Sequence, residues 1–409
     1  MRHRPDMLDE QSPAGLEVVQ LTDGELPAAH VYMEAQVFTP DSRRVIVHSP
    51  ATAHPGGVKD HPEHRFLVCD LSDGAPLTPI IHEPGATSPS VSPDGEGVYY
   101  FVDETAPGRG RLTLKRVGID GADRRTILAV DSPLPGGRRP SRLYPLSTIS
   151  ADGRRLAASA FLGDGSEEGA PFGLLVFDLP TATVRLVLEG PTWCNMHAQY
   201  CRSPEPAAGR DVLVQENHGC VCDAAGRIVQ LTGGAGADVH VVGDDGQAFR
   251  TLPWGRDGVE FCQGHQCWRG RRRMAITSTA ERSGPGRRRL IESPPADGGG
   301  HDGLATPGGR RNELSRSFGD PDFSHFGTDA AGRRLVTDCG PFDAGGRLFL
   351  AQLPDAPGEA VGEWTYLLAP RSSCTKDSHI HPFLSPDGSM AFFNSDESGA
   401  LQAYMVRGW

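Results

Sequence analysis

His379 and His381 stand one residue apart in the segment DSHIHPFLSPDG, residues 377–388 of a 409-residue chain. Neutral imidazole can ligate a transition metal or accept a proton near physiological pH, so the pair points to metal or base chemistry. Three more histidines share its setting. His265 lies nine residues before Met274, His325 nine before Arg334 and His381 nine before Met390, each ahead of a matching apolar run. His197 lies seven residues before Pro204, the offset that separates His379 from Pro386. A lone histidine on a strand is ordinarily structural. Equivalent positions in successive repeats change that reading, because imidazoles converging at one height form a site for manganese, iron, nickel or zinc rather than magnesium or calcium. His379 reads as two residues earlier on the same strand, so period-2 alternation turns its side chain the same way as His381.

The elements that must position these side chains are repeats. A turn signature recurs as FTPDSRR, VSPDGEG, ISADGRR, RSPEPAAG, GTDAAGRR and LSPDGSM, with steps of 53, 58, 53, 126 and 56 residues. The step of 126 spans two periods, and the degenerate copy CWRGRRRMAITST fills the gap, giving seven repeats. Each repeat reads as four short strands, which is one propeller blade. The predicted fold is all-β, a single domain over residues 1–409 forming a seven-bladed propeller of four-stranded blades. LEVVQLTDG near the N-terminus is a strand with no blade before it, so pairing of the terminal strands should close the ring. The first strand of each blade lines the axial channel, and there the five histidines converge.

Composition narrows the function classes. The net charge of -12 argues against nucleic acid or an anionic membrane as the main partner and leaves room for a small anion in a locally positive pocket. No signal-peptide core and no apolar run of membrane-spanning length occurs, so a soluble, cytoplasmic protein is expected. Nine cysteines without a CxxC pair are expected to be reduced thiols.

NHG at 217–219, GHQCW at 264–268 and HIHPFLSPDG followed by FFNSDESGALQAYMV resemble, in order, the HEG, GHxxW, HPHPxFSPDG and SDxxGxxQVY elements of oligogalacturonate lyases. The resemblance runs from about residue 190 to the end; the first half matches only as repeats. It implies a seven-bladed propeller that holds manganese and cleaves short galacturonate oligomers by β-elimination. It also implies His265, His379 and His381 as metal ligands and His218 as the catalytic histidine. Where the family has a glutamine, this chain has Lys376, whose ammonium cannot coordinate a metal. His325, Gln199 or water is then expected to supply the fourth ligand. Arg202 and Arg256 are the candidates for a catalytic arginine, and His197, Gln199, Arg256 and Lys376 for substrate contacts.

The chemistry needs these residue types in any case. Removing the proton α to a uronate carboxylate requires a divalent cation, assisted by arginine, to offset the growing charge, and a neutral imidazole as base. His218, at the end of the strand DVLVQ, suits that role. Residues 281–317 read as a long Gly-, Pro- and Arg-rich loop that could bring Arg311 and Asn312 to an anionic sugar at the channel mouth. Two other readings remain at this stage: a non-catalytic propeller like the Tol-system proteins that binds a protein partner, and a related metal-binding propeller with another sugar reaction.

Overall fold

A computed structural model describes residues 1–54, 58–72, 76–234, 236–254, 260–281, 287–294, 311–356 and 358–409. Seven antiparallel sheets follow one another in chain order, each running outward from an inner strand. The inner strands are Ala29–His30, Ala86–Val91, Arg142–Ile149, Gln199–Tyr200, Glu260–Trp268, Phe323–Thr328 and Phe383–Leu384, in blades 1 to 7. The seven-bladed architecture expected from the repeats is the one observed.

The repeated turns explain the regularity. In blade 7, Ser385 Oγ donates to Asp387 Oδ1 at 2.6 Å, and the same oxygen accepts the Ser389 N–H at 3.0 Å. Gly388 takes the left-handed conformation that the reversal needs, with φ +72°. Ser150, Asp152 and Gly153 repeat these contacts in blade 3. The second strands are buried on both sides, as in Met390–Ser395, because neighbouring blades cover both faces of each sheet. Apolar layers such as Ile46, Val68, Val98 and Tyr100 fill the space between blades 1 and 2.

Glu17–Gln20 pairs with Gln402–Arg407 and closes the ring, as expected. A fifth strand, Arg2–His3, adds to its outer edge. Arg4 fastens this edge: its guanidinium binds Asp6, Gln20 and both carboxylate oxygens of Glu397.

Three expectations need correction. Within the stretch read as one long loop, Arg289–Ser293 and Asn312–Glu313 are the third and fourth strands of blade 5, so short strands were hidden by their Arg-rich composition. Cys194 and Cys220 form a disulfide, whereas seven cysteines are free. The two meet because a small hairpin, Val221–Cys222 with Ile228–Gln230, is inserted after the second strand of blade 4. Thirdly, His379 does not lie on the inner strand. It caps a 3-10 turn over Lys376–Ser378, and His381 has φ +47°, so simple alternation does not describe the pair.

Candidate metal centre

The inner strands run toward the turns just described, so residues that precede them lie on the opposite face of the ring. The loops between second and third strands return to that same face. It therefore gathers His265, His325, His379 and His381 from blades 5 to 7 with His54 from the blade 1 loop. The imidazoles form a continuous cluster. Ring centroids are 4.4 Å apart for His265 and His325, 4.3 Å for His325 and His381, and 5.0 Å for His54 and His381. One nitrogen from each of His54, His379 and His381 lies within 4.8 Å of the others.

Local backbone devices aim these side chains. In blades 5 and 6 the inner strand is bulged next to its histidine, and the displaced histidine carbonyl accepts a threonine hydroxyl, from Thr277 at 2.8 Å and Thr337 at 3.0 Å. The matching contact shows that His265 and His325 occupy equivalent heights. Gly264 permits the blade 5 bulge: its φ is +84°, and a Cβ there would fall 2.2 Å from Gln215 Nε2. His197 and His381 hold positive φ without being glycine, a conformation that costs energy and concentrates at functional sites. The blade 1 loop is docked on blade 7 by the Ala53 N–H, which donates to Asp377 O at 2.8 Å. His54 thereby reaches across the ring closure.

The hydrogen bonds fix which nitrogens face the cluster. His325 Nδ1 donates to Asp338 Oδ2 at 2.8 Å, and His265 Nδ1 to the Ser324 carbonyl at 2.8 Å, so each presents Nε2. Among the described residues, His325 Nε2 and both nitrogens of His381 are buried without a partner, as are the Tyr32 hydroxyl and one oxygen of Glu34. Tyr32 packs edge-on against His381 with centroids 4.6 Å apart. Five buried polar atoms left unmatched in one region are costly unless something else binds them.

Burial also sets the charge. Desolvation pulls His265, His325 and His381 well below the ordinary imidazole range and His54 down to about 3, with neighbouring imidazoles adding to the effect. His379 is lowered for the same reason. Burial pushes Asp338 up to about 6 and raises Glu34. Neutral imidazoles beside two desolvated carboxylates suit a divalent cation. His54 Nε2 and His379 Nδ1 are 3.2 Å apart. Two nitrogens each about 2.1 Å from one ion lie roughly 3 to 3.5 Å apart, so the donor set fits a metal.

The other expected residues lie as follows. His197 has both nitrogens engaged, Nδ1 with Glu34 at 2.7 Å and Nε2 with the Asn195 amide at 2.9 Å. Gln199 donates to the Gln266 carbonyl at 2.7 Å and, with Arg202, lines the axial cavity near the turns, a cavity whose walls include none of the clustered histidines. Lys376 is exposed, but its charge still depresses His54 and His379. Arg256 lies outside the described residues. Asn312 lies on the outer strand of blade 5 and donates to the Glu359 carbonyl at 2.7 Å, whereas Arg311, just before that strand, pairs with Glu260 at the start of the inner strand.

His218 directly follows the second strand of blade 4, Asp211–Asn217, and its Nε2 is 2.7 Å from Asp238 Oδ2. The Asn217 N–H donates to Thr192 O at 2.8 Å, which sets His218 on the same face as the cluster. The Cys194–Cys220 disulfide staples its loop to the segment leading to His197. His54, Tyr32, Glu34 and Asp338 had not been singled out. Three of them lie in the first half of the chain, where only the repeat pattern was readable.

Fold and site together define a seven-bladed propeller with a buried histidine cluster on one face. No family model matches the sequence, and none of the curated proteins does. Among solved structures, an oligogalacturonate lyase in complex with manganese is similar, with a TM-score of 0.68 and 17% identity over 98% of this chain and 95% of the other. An oligogalacturonate lyase from Vibrio parahaemolyticus gives 0.68 and 15% over 97% and 95%. Hydrazine synthase from Kuenenia stuttgartiensis is more distant, at 0.53 and 12% over 93% and 96%. At these identities the likeness is one of fold.

Proposed function

We propose that the chain is a metal-dependent lyase that cleaves short uronic-acid oligosaccharides by β-elimination. The observation that carries this reading is the cluster of neutral imidazoles with unmatched nitrogens, in a fold shared with a manganese-bound oligogalacturonate lyase. A non-catalytic scaffold has no use for such a cluster.

His54, His379 and His381 would hold the cation, with His325 and His265 completing its surroundings. The chemistry a bound manganese or similar divalent ion supplies there is Lewis-acid relief of the uronate carboxylate charge. The chain's own residues do the rest. His218 accepts the proton α to the carboxylate: Asp238 takes its Nε2–H, which leaves Nδ1 as the basic nitrogen, and then stabilises the imidazolium. The C–H electron pair becomes the new C=C bond as the β C–O bond breaks; the departing oxygen takes a proton from water, and the His218 imidazolium returns its proton to the hydroxide so formed. Lys376, exposed at the rim, offers its ammonium to a second carboxylate of an oligomer.

Incubation of the manganese-loaded protein with a panel of uronate oligomers tests this. Growth of ultraviolet absorbance from unsaturated uronate supports elimination. Saturated products alone would indicate hydrolysis, and an unchanged panel would leave no lyase reading.

A further inference from the structure

The axial cavity on the turn face is a second feature, separate from the histidine cluster. All seven blades line it, and its volume is about 420 Å³, within the range of roughly 300–1,000 Å³ usual for small-molecule sites. Phe38, Trp268, Phe326, Phe383 and Leu384 give it an apolar body. Arg202 of blade 4 and Arg271 of blade 5 both line it. Neither guanidinium has an ion pair or side-chain hydrogen bond among the described residues, although acidic residues outnumber basic ones in the chain, 52 to 40. Arg202 is exposed along the channel, yet desolvation by the surrounding walls, and then the charge of Arg271, lower its pKa to about 10, which keeps it cationic at neutral pH.

Neither carboxylate in the wall pairs with these arginines among the described residues. One oxygen of Glu34, at the inner end, is held by His197 Nδ1, and Asp329 Oδ1 accepts the backbone N–H groups of Arg333 and Arg334 at 2.7 and 2.9 Å. Two unneutralised guanidiniums facing an apolar cavity are complementary to one ligand chemistry, a headgroup that takes both cations on a body that fills the channel.

We infer that the axial cavity binds a small amphipathic organic anion, with a carboxylate between Arg202 and Arg271 and an aromatic or aliphatic body among Phe38, Trp268, Phe326 and Phe383. The site is independent of the lyase reading, because its ligand enters from the opposite face.

Calorimetric titration of the full chain with phenylpropionate, naphthoate and octanoate tests it. At least one should bind saturably at one site per chain. Phenylpropionamide, which lacks the charge, should bind roughly ten-fold more weakly than phenylpropionate, and Arg202→Gln and Arg271→Gln should each weaken the carboxylate by roughly ten-fold while melting as the wild type does. His381→Ala should leave the affinity unchanged. Equal binding of the amide, unaltered affinity in both arginine variants, loss of binding in His381→Ala, or no binding of any carboxylate at millimolar concentration would each overturn the inference.

Discussion

His325 Nδ1 lies 2.8 Å from Asp338 Oδ2, and the same carboxylate group receives the His325 backbone N–H at 2.7 Å. The contact determines both the tautomer and the orientation of the ring, because it leaves Nε2 as the lone-pair nitrogen inside the cluster. Asp338→Asn keeps the shape but can no longer enforce that tautomer. Its metal affinity should fall by about 10- to 100-fold, the usual effect of losing an outer partner of a ligand. Competition with a chelator reads this out; an affinity equal to the wild type would remove His325 from the site.

His54→Ala and Lys376→Gln should move affinity in opposite directions. Removing His54 deletes a donor and weakens binding. Removing the exposed ammonium relieves repulsion on the cation and should preserve affinity or raise it a few-fold, more at low salt than at high. Salt-dependent metal titrations of the two variants distinguish these effects, and a loss of metal in Lys376→Gln would contradict the assignment.

His218→Ala should retain metal and lose turnover by roughly 100-fold or more, as for a general base. Asp238→Asn should lower turnover with little change in KM, since it acts through the imidazole. Full elimination activity in His218→Ala would move the base elsewhere.

Stability should fall on mild acidification. Burial pulls His30 and His64 down to about 4, whereas in the unfolded chain they titrate near the usual value of about 6.5. Below that value the unfolded state takes up protons that the folded state refuses. The stability is therefore complete above about pH 6.5 and lost progressively toward pH 4, at up to about 3 kcal/mol for each histidine. Denaturant midpoints between about pH 7 and pH 5 check the sign; a flat or rising profile would contradict it.

The repeat turns carried most of the fold in plain view, because an Asp/Gly reversal with a capping serine has a compact signature that survives between divergent blades. Blade 5 was partly hidden, since Arg289–Ser293 is a strand whose neighbours read as loop. The histidines on inner strands were legible through their offset from the turn. His54 was not, because it sits on a connecting loop with no fixed offset, and only the docking of Ala53 on Asp377 brings it to the last blade. Asp338 was equally silent: an aspartate on a central strand gains meaning only from the histidine it faces. Arg202 was read only as a candidate catalytic arginine; its place in the axial cavity follows from its position just past the inner strand Gln199–Tyr200, on the side of the turns.

Metal content of the purified protein decides whether the histidine cluster holds an ion. After incubation with manganese and removal of free ion, the wild type should carry about one equivalent per chain and His381→Ala close to none, with both proteins folded. A wild type that stays metal-free with manganese, iron and zinc alike, or a His381→Ala variant that binds as much metal as the wild type, would contradict the account.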